Sequence, residues 1–175
     1  MGVSGAGKTT VGRALARRLQ WPFHEGDDFH PQENVRKMAK DEPLTDADRR
    51  PWLERIRDLV ARESARGGDA VVTCSCLKRA YRDLVRAGRD AAEDAQDAED
   101  AQDADVRFVH LELDPETAAV RVGTRLGHFF DASLVGSQFR DLEPPRRALT
   151  LDATRPVQEL VAAVIEAFGL RIPSS

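Results

Sequence analysis

The chain of 175 residues has little cysteine and no long apolar stretch. Its two cysteines, Cys74 and Cys76, are two positions apart, too close for an ordinary disulfide framework and too few for a zinc site. We interpret them as small buried residues at a strand end, with a redox role as the alternative. No apolar run approaches the roughly 20 residues of a membrane span, and the start lacks the residue order of a signal peptide. We therefore expect a cytoplasmic protein with no membrane partner.

Charge is distributed unevenly along the chain. The composition, 41% hydrophobic and 32% charged, predicts a globular protein of one domain over residues 1–175. Residues 90–105 contain eight acids and no base, and removing these charges from the net −4 leaves +4. A mildly basic body suits a protein that handles anions. We interpret the acidic stretch as a solvated insertion, with an acidic docking segment as the alternative.

The chain opens on MGVSGAGKTT, which fits the phosphate-binding pattern GxxxxGK followed by Ser or Thr. Such a loop directs backbone N–H groups at a phosphate from a helix N-terminus, and glycine permits the close approach. Lys8 would reach the β and γ oxygens of ATP or GTP, and Thr9 would hold Mg²⁺. The predicted nucleotide-binding residues in the loop are Gly2, Ser4, Gly5, Ala6, Gly7, Lys8, Thr9 and Thr10.

Short apolar segments alternate with helical patterns along the rest of the chain. Val11, Leu15 and Leu19 have helical spacing directly after the loop, and Thr45 with Asp48 forms a possible capping box. Predicted strands lie in WPFHE, DAVVTCS, VRFVHLEL and ALTLD. This alternation predicts an α/β fold of three layers with a parallel sheet.

Carboxylates cluster where the first predicted strand breaks, in HEGDDFHP. Asp27 is the candidate base for an acceptor hydroxyl, and Glu25 is a candidate for orienting the water shell of Mg²⁺. Two alternatives remain at this point. Asp28 or His30 could cap the helix that starts at Pro31, or His24, Glu25, Asp27 and His30 could bind a transition metal.

Six segments resemble gluconate kinases in order and approximate spacing: GVSGAGKTT, EGDDFHP, KMAKDEPLTDADRRPWL, CSCLKRAYRDLVRAG, RLGHFFDASLVGSQFRDLEPP and LTLD. The resemblance covers nearly the whole chain except the acidic stretch. It implies a P-loop kinase fold, phosphorylation of D-gluconate at its 6-hydroxyl with ATP and Mg²⁺, and a homodimer with no nucleic-acid partner. The alternatives are a kinase of shikimate or another small hydroxy acid, and a nucleotide-binding module without catalysis.

The resemblance also implies roles for residues outside the loop. Asp27 falls where the family places the carboxylate that faces the acceptor hydroxyl. The acceptor-binding residues implied are His30, Arg49, Lys78, Arg79 and Arg82. Arginine suits this role because it can pair with a carboxylate through two hydrogen bonds. The alternative for each of these cations is a solvated surface position.

A lid over residues 121–137 is a further implication of the resemblance. Arg121 and Arg125 are four apart, hence on one helix face, and they would close on the transferring phosphates. Arg125 would stabilise the charge that spreads in the transition state. An exposed basic face is the alternative. The loop from Asp152 to Pro156 resembles the adenine-side loop of the family.

Only Met1 precedes the first glycine of the phosphate loop. In P-loop folds an apolar strand runs directly into this glycine and lies inside the sheet. Losing about five buried residues, at roughly 1.5–3 kcal/mol each, would exceed the typical stability of a domain. We therefore expect a buried strand upstream of Gly2 that this chain lacks.

Overall fold

The computed structural model describes residues 1–40, 42–87, 106–126 and 132–173. The acidic stretch 90–105 and the centre of the expected lid lie outside these residues. The described helices are α1 (Lys8–Leu19), α2 (Gln32–Met38), α3 (Asp46–Ala65), α4 (Arg79–Arg86), α5 (Pro115–Leu126), α6 (Ala132–Asp141) and α7 (Val157–Ala167). The described strands are β1 (Phe23–Glu25), β2 (Val71–Thr73), β3 (Val109–Glu112) and β4 (Leu149–Asp152). All four predicted strands are confirmed.

The strands form two parallel pairs. β1 pairs with β2, so that Glu25 lies opposite Thr73, and β3 pairs with β4, so that Glu112 lies opposite Asp152. Parallel neighbours joined through helices are what the alternation in the sequence predicts. Because both pairs are parallel, the carboxyl ends of paired strands lie side by side, and β1 and β2 both end at the acidic turn.

The first two residues of the chain lie between the two pairs. The N–H of Leu111 in β3 donates to the carbonyl of Met1 at 3.0 Å, and the N–H of Gly2 donates to the carbonyl of Ser75, just past β2, at 3.3 Å. Met1 and Gly2 thus link the pairs at the point where the phosphate loop begins. The strand expected upstream of Gly2 stays a prediction.

Helices cover both faces of the strands. Val71 packs in a core with α1 and α7, whereas its neighbour Val72 packs in a second core with α3 and α4. This alternation follows from the period of two in a β-strand, in which successive side chains point to opposite faces. The predicted three-layer α/β architecture is confirmed. None of the helices in the described ranges is long and apolar enough to cross a membrane.

Helix α3 starts at the predicted capping box. The N–H of Asp48 donates to the hydroxyl oxygen of Thr45 at 3.2 Å, and the N–H of Thr45 donates to the Asp48 carboxylate at 2.9 Å. Lys37 also pairs with Asp48 at 2.7 Å, and these hydrogen bonds lower the pKa of Asp48 to about 2. Helix α2, by contrast, follows Pro31 with no side-chain cap, which does not support Asp28 or His30 as its cap.

Candidate active site

The phosphate loop forms an open cradle at the start of α1. Gly2, Gly5 and Gly7 have φ angles of 140°, 84° and 83°, which L side chains rarely adopt. A Cβ added to Gly7 would meet no atom within 4 Å, so the space at the helix N-terminus is open. Helix α1 also has no side-chain cap and no acid in its first turn. The loop therefore presents backbone donors and the positive end of the helix dipole to an anion.

Close contacts hold the same loop on its other side. A Cβ on Gly2 would lie 2.6 Å from the carbonyl oxygen of Leu111, and a Cβ on Gly5 would lie 2.9 Å from that of Ala118. The loop is thus packed against β3 and α5. Lys8 bends back over the loop, where its ammonium donates to the carbonyl of Val3 at 3.1 Å.

The acidic turn that follows β1 is fixed by two neighbouring side chains. The N–H of Gly26 donates to the hydroxyl oxygen of Thr73 at 3.3 Å, and that hydroxyl donates to the Glu25 carboxylate. The indole N–H of Trp52 donates to the carbonyl of Gly26 at 2.7 Å. A Cβ on Gly26 would lie 1.9 Å from the carbonyl oxygen of Thr73, so only glycine fits. This turn sets the positions of Glu25 and Asp27.

Asp27 lies on the short 3₁₀ turn Gly26–Phe29, close enough to Lys8 to interact with its charge. Desolvation by the surrounding protein raises the pKa of Asp27, and the negative charges of Glu25 and Asp28 add to this rise. The charge of Lys8 opposes it. The candidate base therefore lies within reach of the lysine charge of the phosphate loop, and the raised pKa makes this carboxylate a stronger base.

Two of the predicted acceptor-side cations, Arg49 and Lys78, belong to one cluster with Asp46, Tyr81 and Asp141. The Arg49 guanidinium donates to Asp141 at 3.2 Å and to the Tyr81 hydroxyl at 3.1 Å. Lys78 pairs with Asp46 at 2.8 Å, and Tyr81 also donates to Asp46. The Lys78–Asp46 hydrogen bond raises the pKa of Lys78 and lowers that of Asp46.

The sequence patterns did not single out Asp46, Tyr81 or Asp141. All three lie inside segments that carry the family resemblance, and this resemblance is the feature of the sequence that could have pointed to them. Nothing in their local pattern distinguishes them from surface residues, because their partners come from helices far apart in the chain.

His30 is held by Trp52 and Asn34. Its ring stacks on Trp52 with centroids 4.2 Å apart, and its Nδ1 lies 3.3 Å from the side-chain nitrogen of Asn34. Burial, together with the positive charge of Arg49, lowers the pKa of His30 to about 4. The imidazole is therefore neutral near pH 7.

The structure places Arg79 and Arg82 at a separate cavity of about 240 Å³, lined also by Arg86, Phe108 and residues 143–148. Arg82 is only 6% exposed, and its guanidinium donates to the carbonyls of Cys76 and Leu77 at 3.0 and 2.9 Å. It is thus neither the solvated surface residue of the alternative interpretation nor part of the Arg49 cluster. Its predicted acceptor role stays a prediction, as does that of Arg79.

Arg121 joins the phosphate loop to the expected adenine-side loop. Its guanidinium donates to the carbonyl of Ala153 at 3.0 Å and to that of Gly5 at 3.4 Å. Arg125 lies in α5, but its side chain is outside the described part, as are residues 127–131. The roles of Arg121 and Arg125 in a lid stay predictions.

The two cysteines are buried and reduced, with their sulfur atoms 3.1 Å apart. This burial fits their interpretation as small residues at a strand end. Within residues 1–40, 42–87, 106–126 and 132–173, no group of three or more His, Cys, Asp or Glu side chains is arranged to hold a metal ion.

Comparison with known proteins first defines the class. The family model of shikimate kinase matches residues 4–128 of the chain. Together with the phosphate loop and the parallel strands, this match identifies a P-loop kinase of small molecules.

Individual proteins similar to this chain define the family. A gluconokinase of Gluconobacter oxydans is 46% identical over 145 residues, which cover 83% of this chain and 74% of that protein. A probable gluconokinase of Xenopus tropicalis is 41% identical over 168 residues, 94% of this chain and 88% of that protein. The crystal structure of a gluconokinase from Sinorhizobium meliloti has a TM-score of 0.78 at 38% identity, covering 97% of this chain and 93% of that one. The chain therefore belongs to the gluconokinase family.

Proposed function

We propose that this protein phosphorylates D-gluconate at its 6-hydroxyl, with ATP as the phosphoryl donor and Mg²⁺ as the metal. The observation that carries the proposal is the position of Asp27. It lies on a turn that neighbouring side chains hold in place, within reach of the charge of Lys8 in the open phosphate loop. Membership of the gluconokinase family supports gluconate as the acceptor.

Each residue of the proposed site would have a separate role in phosphoryl transfer. Asp27 would accept the proton of the 6-hydroxyl while the oxygen of that hydroxyl forms a bond to the γ-phosphorus. At the same time, the bond between the γ-phosphorus and the β–γ bridging oxygen would break. Lys8 and the loop amides would hold the phosphates, with Arg125 covering the transferring group. Thr9 and Glu25 would hold Mg²⁺ or its water shell, and the metal would supply charge neutralisation on the phosphates. Arg121 would fix the nucleotide side of the cleft.

The Arg49 cluster is the proposed site for the acceptor's carboxylate. Arg49 and Lys78 supply two cations, and Arg49 has the planar geometry for a two-point contact with a carboxylate. His30, neutral at pH 7, and the hydroxyl of Tyr81 would offer hydrogen bonds to the acceptor's hydroxyl groups.

Shikimate is the second candidate acceptor, because the family model that matches residues 4–128 is that of shikimate kinase. Both acceptors carry one carboxylate and several hydroxyl groups, so the same cations serve either. A module that binds nucleotide without catalysis is the remaining alternative. The cytoplasmic location and the homodimer stay predictions.

The decisive experiment measures gluconate-dependent ADP release by the full chain with MgATP. Identification of 6-phosphogluconate by mass spectrometry would establish the reaction. Lys8→Ala serves as the control, since it should weaken both nucleotide binding and rate; unchanged nucleotide affinity in this variant would contradict the phosphate-loop assignment. ATP turnover with shikimate alone would support the second candidate, and no turnover with any acceptor would support the non-catalytic module.

A further inference from the structure

One side chain of α6 is hydrogen-bonded twice to the phosphate loop. The N–H of Ser4 donates to Oε1 of Gln138 at 2.7 Å, and Nε2 of Gln138 donates to the hydroxyl oxygen of Ser4 at 3.0 Å. Both ends of the amide are used, one as acceptor and one as donor. We refer to this pair of hydrogen bonds as the Ser4–Gln138 clamp.

The clamp joins parts of the chain that are 134 residues apart. Gln138 lies in the second half of α6, and this helix is anchored by buried Val135. Ser4 lies inside the loop whose backbone donors face the open cradle. The next residue, Gly5, is held from α5, where Arg121 donates to its carbonyl. Two adjacent loop residues are thus held by the helices on either side of residues 127–131.

An uncharged amide is well suited to this position. A backbone N–H that loses its acceptor is costly to leave unpaired, so the clamp favours one conformation of the loop. A carboxylate could accept the same N–H, but it would repel the phosphates that the loop is built to receive. Fixing a loop in its binding conformation before the ligand arrives increases affinity, because less ordering remains to be done on binding.

We propose that Gln138 is a positioning residue, which holds the phosphate loop in its nucleotide-binding conformation from α6. This inference rests on the nucleotide-binding part of the proposed function and does not depend on which acceptor is phosphorylated.

The test is a double-mutant cycle on nucleotide affinity. The dissociation constant of a non-hydrolysable ATP analogue is measured by calorimetry, without acceptor, for the wild type, Ser4→Ala, Gln138→Ala and the double variant. Gln138→Ala should weaken binding by about tenfold, as expected for two hydrogen bonds, and Ser4→Ala by about threefold. The double variant should bind no more weakly than Gln138→Ala, because both changes break the same clamp.

Two further variants separate positioning from general stability. Arg140→Ala changes an exposed residue on the same helix and should leave affinity within about twofold of wild type. Gln138→Glu keeps an acceptor for the Ser4 N–H but adds charge, so its loss of affinity should shrink as salt is raised. The same measurements separate this inference from the choice of acceptor, because analogue binding needs no gluconate turnover. Wild-type affinity in Gln138→Ala, fully additive effects in the cycle, or a lower melting temperature with unchanged affinity would each overturn the proposal.

Discussion

The proposed nucleotide side and the proposed acceptor side of the site are built in different ways. The phosphate loop is one uninterrupted segment, residues 2–10, whose glycines and helix N-terminus form the cradle locally. The Arg49 cluster, the proposed acceptor site, draws Arg49 from α3, Tyr81 from α4 and Asp141 from α6. A local site can be recognised as a motif, whereas an assembled site exists only after the helices have packed.

The two sides also differ in how their charge is balanced. No acidic residue lies in the first turn of α1. Arg49 and Lys78, in contrast, are already paired with Asp141 and Asp46. A phosphate would therefore meet a cradle that is ready for an anion, whereas an acceptor carboxylate bound at the Arg49 cluster would compete with two carboxylates of the protein.

The largest effect is expected for Asp27→Asn. Losing a general base typically lowers turnover by about 10² to 10⁴-fold. The dissociation constant of the non-hydrolysable ATP analogue should hardly change, because the substitution leaves the phosphate loop unaltered. Steady-state kinetics and calorimetry on the purified variant provide the measurement. Near-normal kcat would remove Asp27 from the mechanism.

The pH dependence offers a second check on Asp27. Its carboxylate must be unprotonated to accept a proton, and its pKa is raised above 3.8. As pH falls through this raised pKa, kcat/KM of the wild type should decline, at a higher pH than an unperturbed aspartate would give. The small residual activity of Asp27→Asn should lack this decline. If kcat/KM of the variant declines at the same low pH as that of the wild type, the decline belongs to another group.

A large effect on stability is expected for Gly26→Ala. The added Cβ would lie 1.9 Å from the Thr73 carbonyl oxygen, so the turn must shift and carry Glu25 and Asp27 with it. Overpacking of this kind typically lowers the free energy of unfolding by about 1–3 kcal/mol. Chemical denaturation measures the loss. Gly123→Ala is the control, because its Cβ meets nothing within 4 Å in α5, and unaltered stability in Gly26→Ala would refute the packing argument.

A moderate effect on the KM for gluconate should distinguish the cations of the Arg49 cluster from those at the separate cavity. Arg49→Ala should raise the KM for gluconate about tenfold or more with little change in the KM for ATP, because a charged hydrogen bond is lost. Arg79→Ala is the matched comparison. Arg79 lines the separate cavity, so an acceptor site confined to the Arg49 cluster predicts a change of less than about twofold in either KM. Equal effects of the two variants would show that the acceptor site extends to Arg79.

The smallest effect is expected for deletion of residues 92–103. Loop-closure entropy changes slowly with length, so shortening the acidic stretch should alter stability little. We expect kcat within about twofold of wild type and a similar melting temperature. A large loss of gluconate turnover would instead show that the acidic stretch takes part in the acceptor site or in a subunit contact.

Much of the fold could be predicted because its signals are local. The four strands, the capping box of Thr45 and Asp48, and the end of β1 at Gly26 all follow from short patterns. The assembled side could not be predicted in the same way. The spacing of arginines on α4 does not reveal that the Arg82 side chain points inward to two backbone carbonyls. Nor does the sequence around Lys78 reveal that Lys78 pairs with Asp46.

The most direct test of the account compares acceptors at fixed MgATP. Initial rates of ADP release by the wild-type chain are measured with D-gluconate, shikimate and a panel of other sugar acids, each over a range of concentrations. We expect the highest kcat/KM with gluconate and a product phosphorylated at the 6-position. A higher kcat/KM with shikimate or another hydroxy acid, or turnover independent of any acceptor, would contradict it.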